Sequence, residues 1–230
     1  MSFRSEVIQR WWPTTQSLDL VEGAAENVAA AVHEEVGRFV PGEAIVTSWE
    51  QFADLDSAFR SAPESANVPT VYLVLPSHSR WSVLWNNSFL CDGYDALCWC
   101  LTKHHALTTV HWSAHDRWTT FQSGASFHLR RSAGSTMVER SVHVGQEDNR
   151  WTFFEHGEPL PEEEVTSYRA RRKRDRLNEV LVSQLLGRLG ASPWSDEFYA
   201  FPEQRSFVVR RPEAPATVIR RRVSEVVRAG

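Results

Sequence analysis

Residues Trp81 to Trp112, WSVLWNNSFLCDGYDALCWCLTKHHALTTVHW, decide how the rest of the chain is read. Trp81, Val83 and Trp85 alternate with Ser82, Leu84 and Asn86, the period of two expected of a strand with unequal faces. Asn86, Asn87 and Ser88 then break the run, as turn formers do. Asp92 is placed to cap a helix, its carboxylate accepting from the N–H of Asp95, and Asp95 lies where the helix dipole favours negative charge. Tyr94, Leu97, Cys98, Leu101 and His105 recur at helical spacing and predict one buried stripe, with Ala96, Trp99 and Lys103 on the other side. Thr108, Thr109 and Val110 restart a β-branched strand that runs into His111 and Trp112.

Upstream, Ser17 is expected to cap a long helix in which Leu18, Val21, Ala25, Val28, Val32, Val36 and Phe39 share a stripe and Asp19 and Glu22 occupy the first turn. Gly37 and Pro41-Gly42 end it. Ala44 to Thr47 reads as a short strand, and Ser48 as the cap of a shorter helix through Phe52, Leu55 and Phe59. Ser61 to Pro69 is a loop. Thr70 to Leu75 (TVYLVL), nearly continuous in apolar side chains and closed by Pro76, predicts a strand buried on both faces.

Downstream, Thr119 to Gln122, Ser126 to Arg131, Val138 to Val144 and Arg150 to Glu155 are separated by Ser123-Gly124, Ser132-Ala133-Gly134 and Glu147-Asp148-Asn149. Such short connections demand antiparallel neighbours. The fold expected is therefore α+β, a mainly antiparallel sheet of about five to seven strands with helices packed on one face. Gly157 to Pro161 marks a boundary between an acidic body, residues 1–160, and a basic, mostly helical part, residues 161–230, packed against it. In that part Glu162, Glu163 and Glu164 open a helix carrying RARRKRDRLNEVLVSQLLGRLG. Ser206 to Arg210 reads as a strand, and Thr217 to Val227 as a helix with Ile219, Val223 and Val226 on one stripe.

Composition sets the outer limits. Of 230 residues, 42% are hydrophobic and 23% charged, the balance of a globular chain. No run of about 18 apolar residues exists, so a helical membrane span is not expected. The first residues, MSFRSEVIQRWWPTTQ, lack the apolar stretch and cleavage site of a signal peptide. Three cysteines, two of them in Cys-Trp-Cys, suit a reducing compartment, and a cytoplasmic protein is expected. The net charge of −4 conceals an asymmetry: Thr166 onward carries 14 Lys+Arg against 7 Asp+Glu, and the first 165 residues carry 11 against 22. A chain divided this way pairs its halves or presents opposite potentials to different surroundings.

Three sets of residues are candidates for function. Cys91 precedes a helix start, where amide dipoles favour a thiolate, and His111 and His128 lie on the strands that follow. A cysteine at a helix start with a histidine on a sheet resembles the general plan of papain-like and NlpC-type hydrolases. Here the cysteine–histidine separation is shorter than in those families, and their motif around the cysteine is absent. Next, Asp92, Asp95, Glu158, Glu162 and Glu163 offer negative charge, and Trp99 an aromatic anchor, to a basic protein partner. Finally, Arg171, Arg172, Lys173 and Arg174 invite a nucleic-acid reading. Against it, Arg171–Asp175 and Arg176–Glu179 pairs would make the run a solvated helix face. Cys98, Cys100, His104, His111 and His115 repeat no zinc pattern, and neither metal nor cofactor is expected.

GYDALCWCLTKHHALTTVHW and RWTFFEHGEPLPEEE have an aromatic-rich, motif-poor texture that resembles bacterial immunity proteins. The resemblance covers about Trp81 to Leu189. It implies a cytoplasmic protein that neutralises a basic toxin-type partner, with a Cys/His hydrolase or transferase and a nucleic-acid-associated factor as the alternatives.

Overall fold

The computed structural model describes residues 17–62, 69–88, 94–115, 124–134, 136–147 and 150–212. Among them, nine strands form one antiparallel sheet: β1 Ser17–Glu22, β2 Val46–Glu50, β3 Val71–Pro76, β4 Trp81–Asn86, β5 Thr109–His115, β6 Gly124–Ala133, β7 Thr136–Glu147, β8 Arg150–His156 and β9 Ser206–Arg210. Their spatial order is β2-β9-β3-β4-β1-β5-β6-β7-β8. The helices are α1 Ala25–Phe39, α2 Leu55–Arg60, α3 Tyr94–His105 and α4 Glu179–Arg188. None of them is long and apolar enough to cross a membrane.

Alternation along the strands builds a core on each face. Leu18, Leu20, Val71, Leu73, Leu75, Trp81, Val83, Trp85, Val110 and Trp112 point to one side, where α2 and α4 supply Leu55, Phe59, Val182, Leu185 and Leu186. Trp81 Nε1 donates to Leu189 O at 2.9 Å, tying the end of α4 to β4. Val21, Tyr72, Val74 and Leu84 point to the other side, under Val28, Val32 and Val36 of α1 and Leu97 and Leu101 of α3. Helices therefore cover both faces, which corrects the expected one-sided packing, and the strands outnumber the five to seven expected. Val71–Pro76 is buried at every position, as its near-continuous apolar run requires, and so is Trp81–Asn86, whose two faces were expected to differ but are both covered.

The expected helix from Ser17 is replaced by β1 up to Glu22. Leu18 and Leu20 face one way, Asp19 and Val21 the other, and Gly23 at φ +141° turns the chain into α1. The apolar positions fit both periods, and pairing with β4 and β5 on either side decides for the strand. Ser48 lies in β2. Asp54 caps α2 instead, in a capping box with Ser57.

The arginine run is not an α-helix. Val165–Arg169 and Lys173–Asp175 are single 3-10 turns, and α4 begins only after Asn178, whose side chain accepts from Leu181 N at 3.0 Å. Arg169 with Arg172 and Lys173, and Arg172 with Arg176, would repel at helical spacings of three and four. The expected pairs do not form either. Arg174 approaches Asp175 at 3.8 Å, while Arg176 donates to Ala170 O at 3.0 Å and lies over the Phe153 ring. Beyond this stretch the chain re-enters the sheet as β9, paired with β2 and β3. The expected strand at Thr119–Gln122 and helix at Thr217–Val227 fall outside the described residues.

Candidate acid–base site

One row of directly paired residues crosses the whole sheet: Trp49, Phe207, Val74, Leu84, Asp19, His111, His128, Ser141 and His156. Paired residues share a face, so this face changes from apolar to polar between β4 and β1. Two residues along, Ser17, Ser113, Ser126, His143 and Phe154 form a parallel row. Gly145 leaves room beside it: a Cβ there would lie 2.5 Å from His143 Nε2. The apolar half lies under α1. Over the polar half lies α3, and there the candidate site forms.

Asp19 is fully buried, and its Oδ1 is hydrogen-bonded to His111 Nδ1 at 2.7 Å. Oδ2 makes no hydrogen bond of normal geometry, while the Cys98 thiol lies beside the carboxylate. Burial pushes the Asp19 carboxyl above its ordinary value, and the His111 hydrogen bond offsets this only in part. Burial and then the neighbouring Asp19 charge push the Cys98 thiol well above the ordinary range. Cys98 is thereby a proton-bearing packing residue and a poor nucleophile.

A second acid–base pair stands next to the first. The His128 ring meets that of His111 edge-on, with centroids 6.0 Å apart. His128 Nδ1 is 2.9 Å from Asp95 Oδ1, and Arg130 Nη1 reaches the same oxygen at 2.8 Å. Arg130 Nε donates to Glu139 at 3.0 Å. Burial alone would raise the Asp95 carboxyl. The His128 and Arg130 hydrogen bonds outweigh it and hold Asp95 well below the usual carboxylate range. Two carboxylates close enough to repel one another are thus pushed in opposite directions, the arrangement that separates acid and base roles in many active sites.

The structure therefore joins His111 and His128, expected on separate strands, and adds Asp95, expected as a partner-binding charge. Asp19 was missed because the helical reading placed it in an exposed first turn. The alternation of SLDLVE was the signal available for it. Cys91 and Asp92 lie outside the described residues.

The other candidates do not converge. Trp99 on α3 is 37% exposed, with Lys103 Nζ 4.2 Å from its ring centre and His104 edge-on to it. Glu158 is exposed and Glu162 half-buried. Glu163 is no steering charge: it is buried on the opposite side of the sheet, holding Arg140 by hydrogen bonds of 2.8 and 2.7 Å. Arg171, Arg172, Lys173 and Arg174 are all exposed. Comparison with protein-family models, with curated proteins and with solved structures finds no match to this chain.

Proposed function

We propose that the protein is a Cys/His-dependent hydrolase or transferase whose proton-handling centre is Asp19–His111, with His128 beside it. The observation that carries this reading is the 2.7 Å hydrogen bond between His111 and a buried carboxylate. It holds the ring by Nδ1 and makes Nε2 the nitrogen that exchanges a proton. In such an enzyme the Cys91 thiol gives its proton to His111 Nε2 as sulfur adds to an electrophilic substrate carbon. The leaving group departs with that proton. Water, or a second acceptor, then takes the bound group from sulfur and restores the thiol. His128, with Asp95 and Arg130 behind it, supplies donors towards developing negative charge.

The test is alkylation of Cys91 by iodoacetamide, followed by peptide mass spectrometry in wild type and His111→Gln. An ordinary thiol, pKa ~8.5, is only a few per cent thiolate at pH 7. Loss of the base should therefore slow labelling roughly tenfold at that pH. Equal rates in the two proteins would defeat the reading.

A second reading draws on the 169–174 loop. Arg169, Arg171, Arg172 and Lys173 are exposed and have no ion-pair partner among the described residues. Hydrogen bonds from Ser167 Oγ to Arg176 O and from Arg176 Nε to Ala170 O hold the loop in one shape. A fixed cluster of uncompensated cations suits the phosphates of a nucleic acid. Four contacts would give a log–log salt slope of about −3 to −4. Arg171→Ala with Arg172→Ala should then lower the slope by about 2, and an unchanged slope would remove this reading. Neutralisation of a basic toxin-type protein would draw on Asp92, Trp99, Glu158 and Glu162, because Asp95 and Glu163 are engaged within the fold. Co-purification with such a partner is its test.

A further inference from the structure

Between α1 and α3, which cover the face of the sheet that carries the acid–base pairs, Glu35, Cys100 and His104 come together, with one carboxylate oxygen, Sγ and a ring nitrogen all within 4.8 Å of one another. Cys100 and His104 are four apart on α3 and so lie on one helix face, opposite Glu35 on α1. Glu35 is 1% exposed, on the buried side of α1 with Ala31, Val32 and Val36. His104 Nδ1 lies 3.1 Å from both Glu35 oxygens, and His105 Nε2 lies 2.8 Å from Oε1.

Arg38 Nη1 lies 2.8 Å from His104 Nδ1 and 3.0 Å from Glu35 Oε1, so a guanidinium already stands beside the carboxylate. A sulfur, an imidazole nitrogen and a buried carboxylate thus converge on one point, at a place that already attracts a cation.

We propose that this point is a binding site for a divalent transition-metal ion of the zinc class, with Glu35, Cys100 and His104 as ligands. The donor set of sulfur, imidazole nitrogen and carboxylate is the one zinc and cobalt(II) prefer, and metal–ligand distances of about 2.0–2.3 Å are reached by small side-chain shifts. His105 holds the carboxylate from behind, as outer-shell groups do in metal centres. Arg38 is 47% exposed and pairs with Glu34 as well as with Glu35, so it can keep its Glu34 partner and give up Glu35 as the ion enters. Metal binding converts the Cys100 thiol to thiolate and releases its proton to solvent. Three protein ligands leave one coordination position open.

The experiment uses the full chain, stripped with chelator and titrated with Co²⁺ and then with Zn²⁺ in competition. One Co²⁺ per chain is expected, with a thiolate-to-cobalt charge-transfer band that Zn²⁺ abolishes. Cys100→Ser should lose the band, whereas Cys98→Ser should keep it. His105→Ala should weaken binding roughly 10–100-fold. Arg38→Gln, which removes the competing cation, should tighten it, an effect that a purely structural cluster would not show. Absence of stoichiometric binding in the folded wild type, a cobalt spectrum with no thiolate band, or weaker binding in Arg38→Gln would overturn the proposal.

Discussion

Two buried ionic groups sit on opposite faces of the same sheet, and they differ in how completely they are satisfied. On one face Arg140, 1% exposed, donates to Glu163 twice, to Glu155 at 3.0 Å, and to the carbonyls of His156 and Gly157 at 3.3 and 2.9 Å. Glu163 in turn accepts from Tyr168 Oη at 2.7 Å and Leu160 N at 2.9 Å. Every charge there has its partners, and the guanidinium clamps the stretch after β8 against β7. On the other face Asp19 Oδ1 is held by His111, while Oδ2 has only the Cys98 thiol beside the carboxylate. A saturated cluster can only hold its shape. An unsaturated, titratable one can exchange protons, and the contrast separates a structural lock from a candidate site.

That contrast can be broken at either end. The largest effect is expected at the lock. Glu163→Ala leaves the Arg140 guanidinium buried with only Glu155 as a carboxylate partner, and should cost about 3–5 kcal/mol in urea unfolding. Exchanging both Glu163 and Arg140 for apolar side chains of similar volume should restore most of that loss. Asp19→Asn should behave oppositely. Stability should change by less than about 1 kcal/mol or rise, since an unsatisfied buried carboxyl is removed, while fast Cys91 labelling is lost. A large destabilisation with unaltered labelling would make Asp19–His111 a second lock.

The acid limb of stability gives a smaller and more specific test. Asp95 is held below its unfolded value, so its contribution is present above pH ~3.9 and disappears as pH falls further. Asp19 is held above its unfolded value, so its contribution is greatest below pH ~3.9 and is lost as pH rises through the raised value. Urea midpoints from pH 2.5 to 7 should show Asp95→Asn flattening the acid loss. Its side chain is 52% exposed, so the change should stay below about 1 kcal/mol. Asp19→Asn should flatten the opposite slope. Least in size, Cys98 and Cys100 are buried and should react with a thiol reagent only on unfolding.

Much of this arrangement is legible in local sequence. TVYLVLP announces a central strand because burial on both faces favours an almost unbroken apolar run, whereas the alternation of WSVLWN shows a strand but not that its Ser82 and Asn86 face is buried too. The spacing of Leu97, Cys98 and Leu101 places α3, and with it the facing of Cys98 towards the sheet. What escapes is decided by distant pairing. Asp19 needs β1 to pair with β5, 92 residues on, before it meets His111. Glu35 meets His104 and His105 only when α1 and α3 pack, 69 and 70 residues apart. Glu163 reads as a surface charge in an acidic run because Arg140 lies in another strand. The arginine run misleads differently: helix periodicity is present, but mutual repulsion of its charges opposes the helix.

The central claim is that His111, held by Asp19, acts as a base for a nucleophilic thiol. It is tested most directly by the pH profile of Cys91 alkylation in wild type, His111→Gln and Asp19→Asn. A wild-type inflection below the ordinary thiol range is expected, shifted to about pH 8.5 in both variants while all three proteins remain folded. A wild-type inflection already at the ordinary thiol value, unchanged by either substitution, would contradict it.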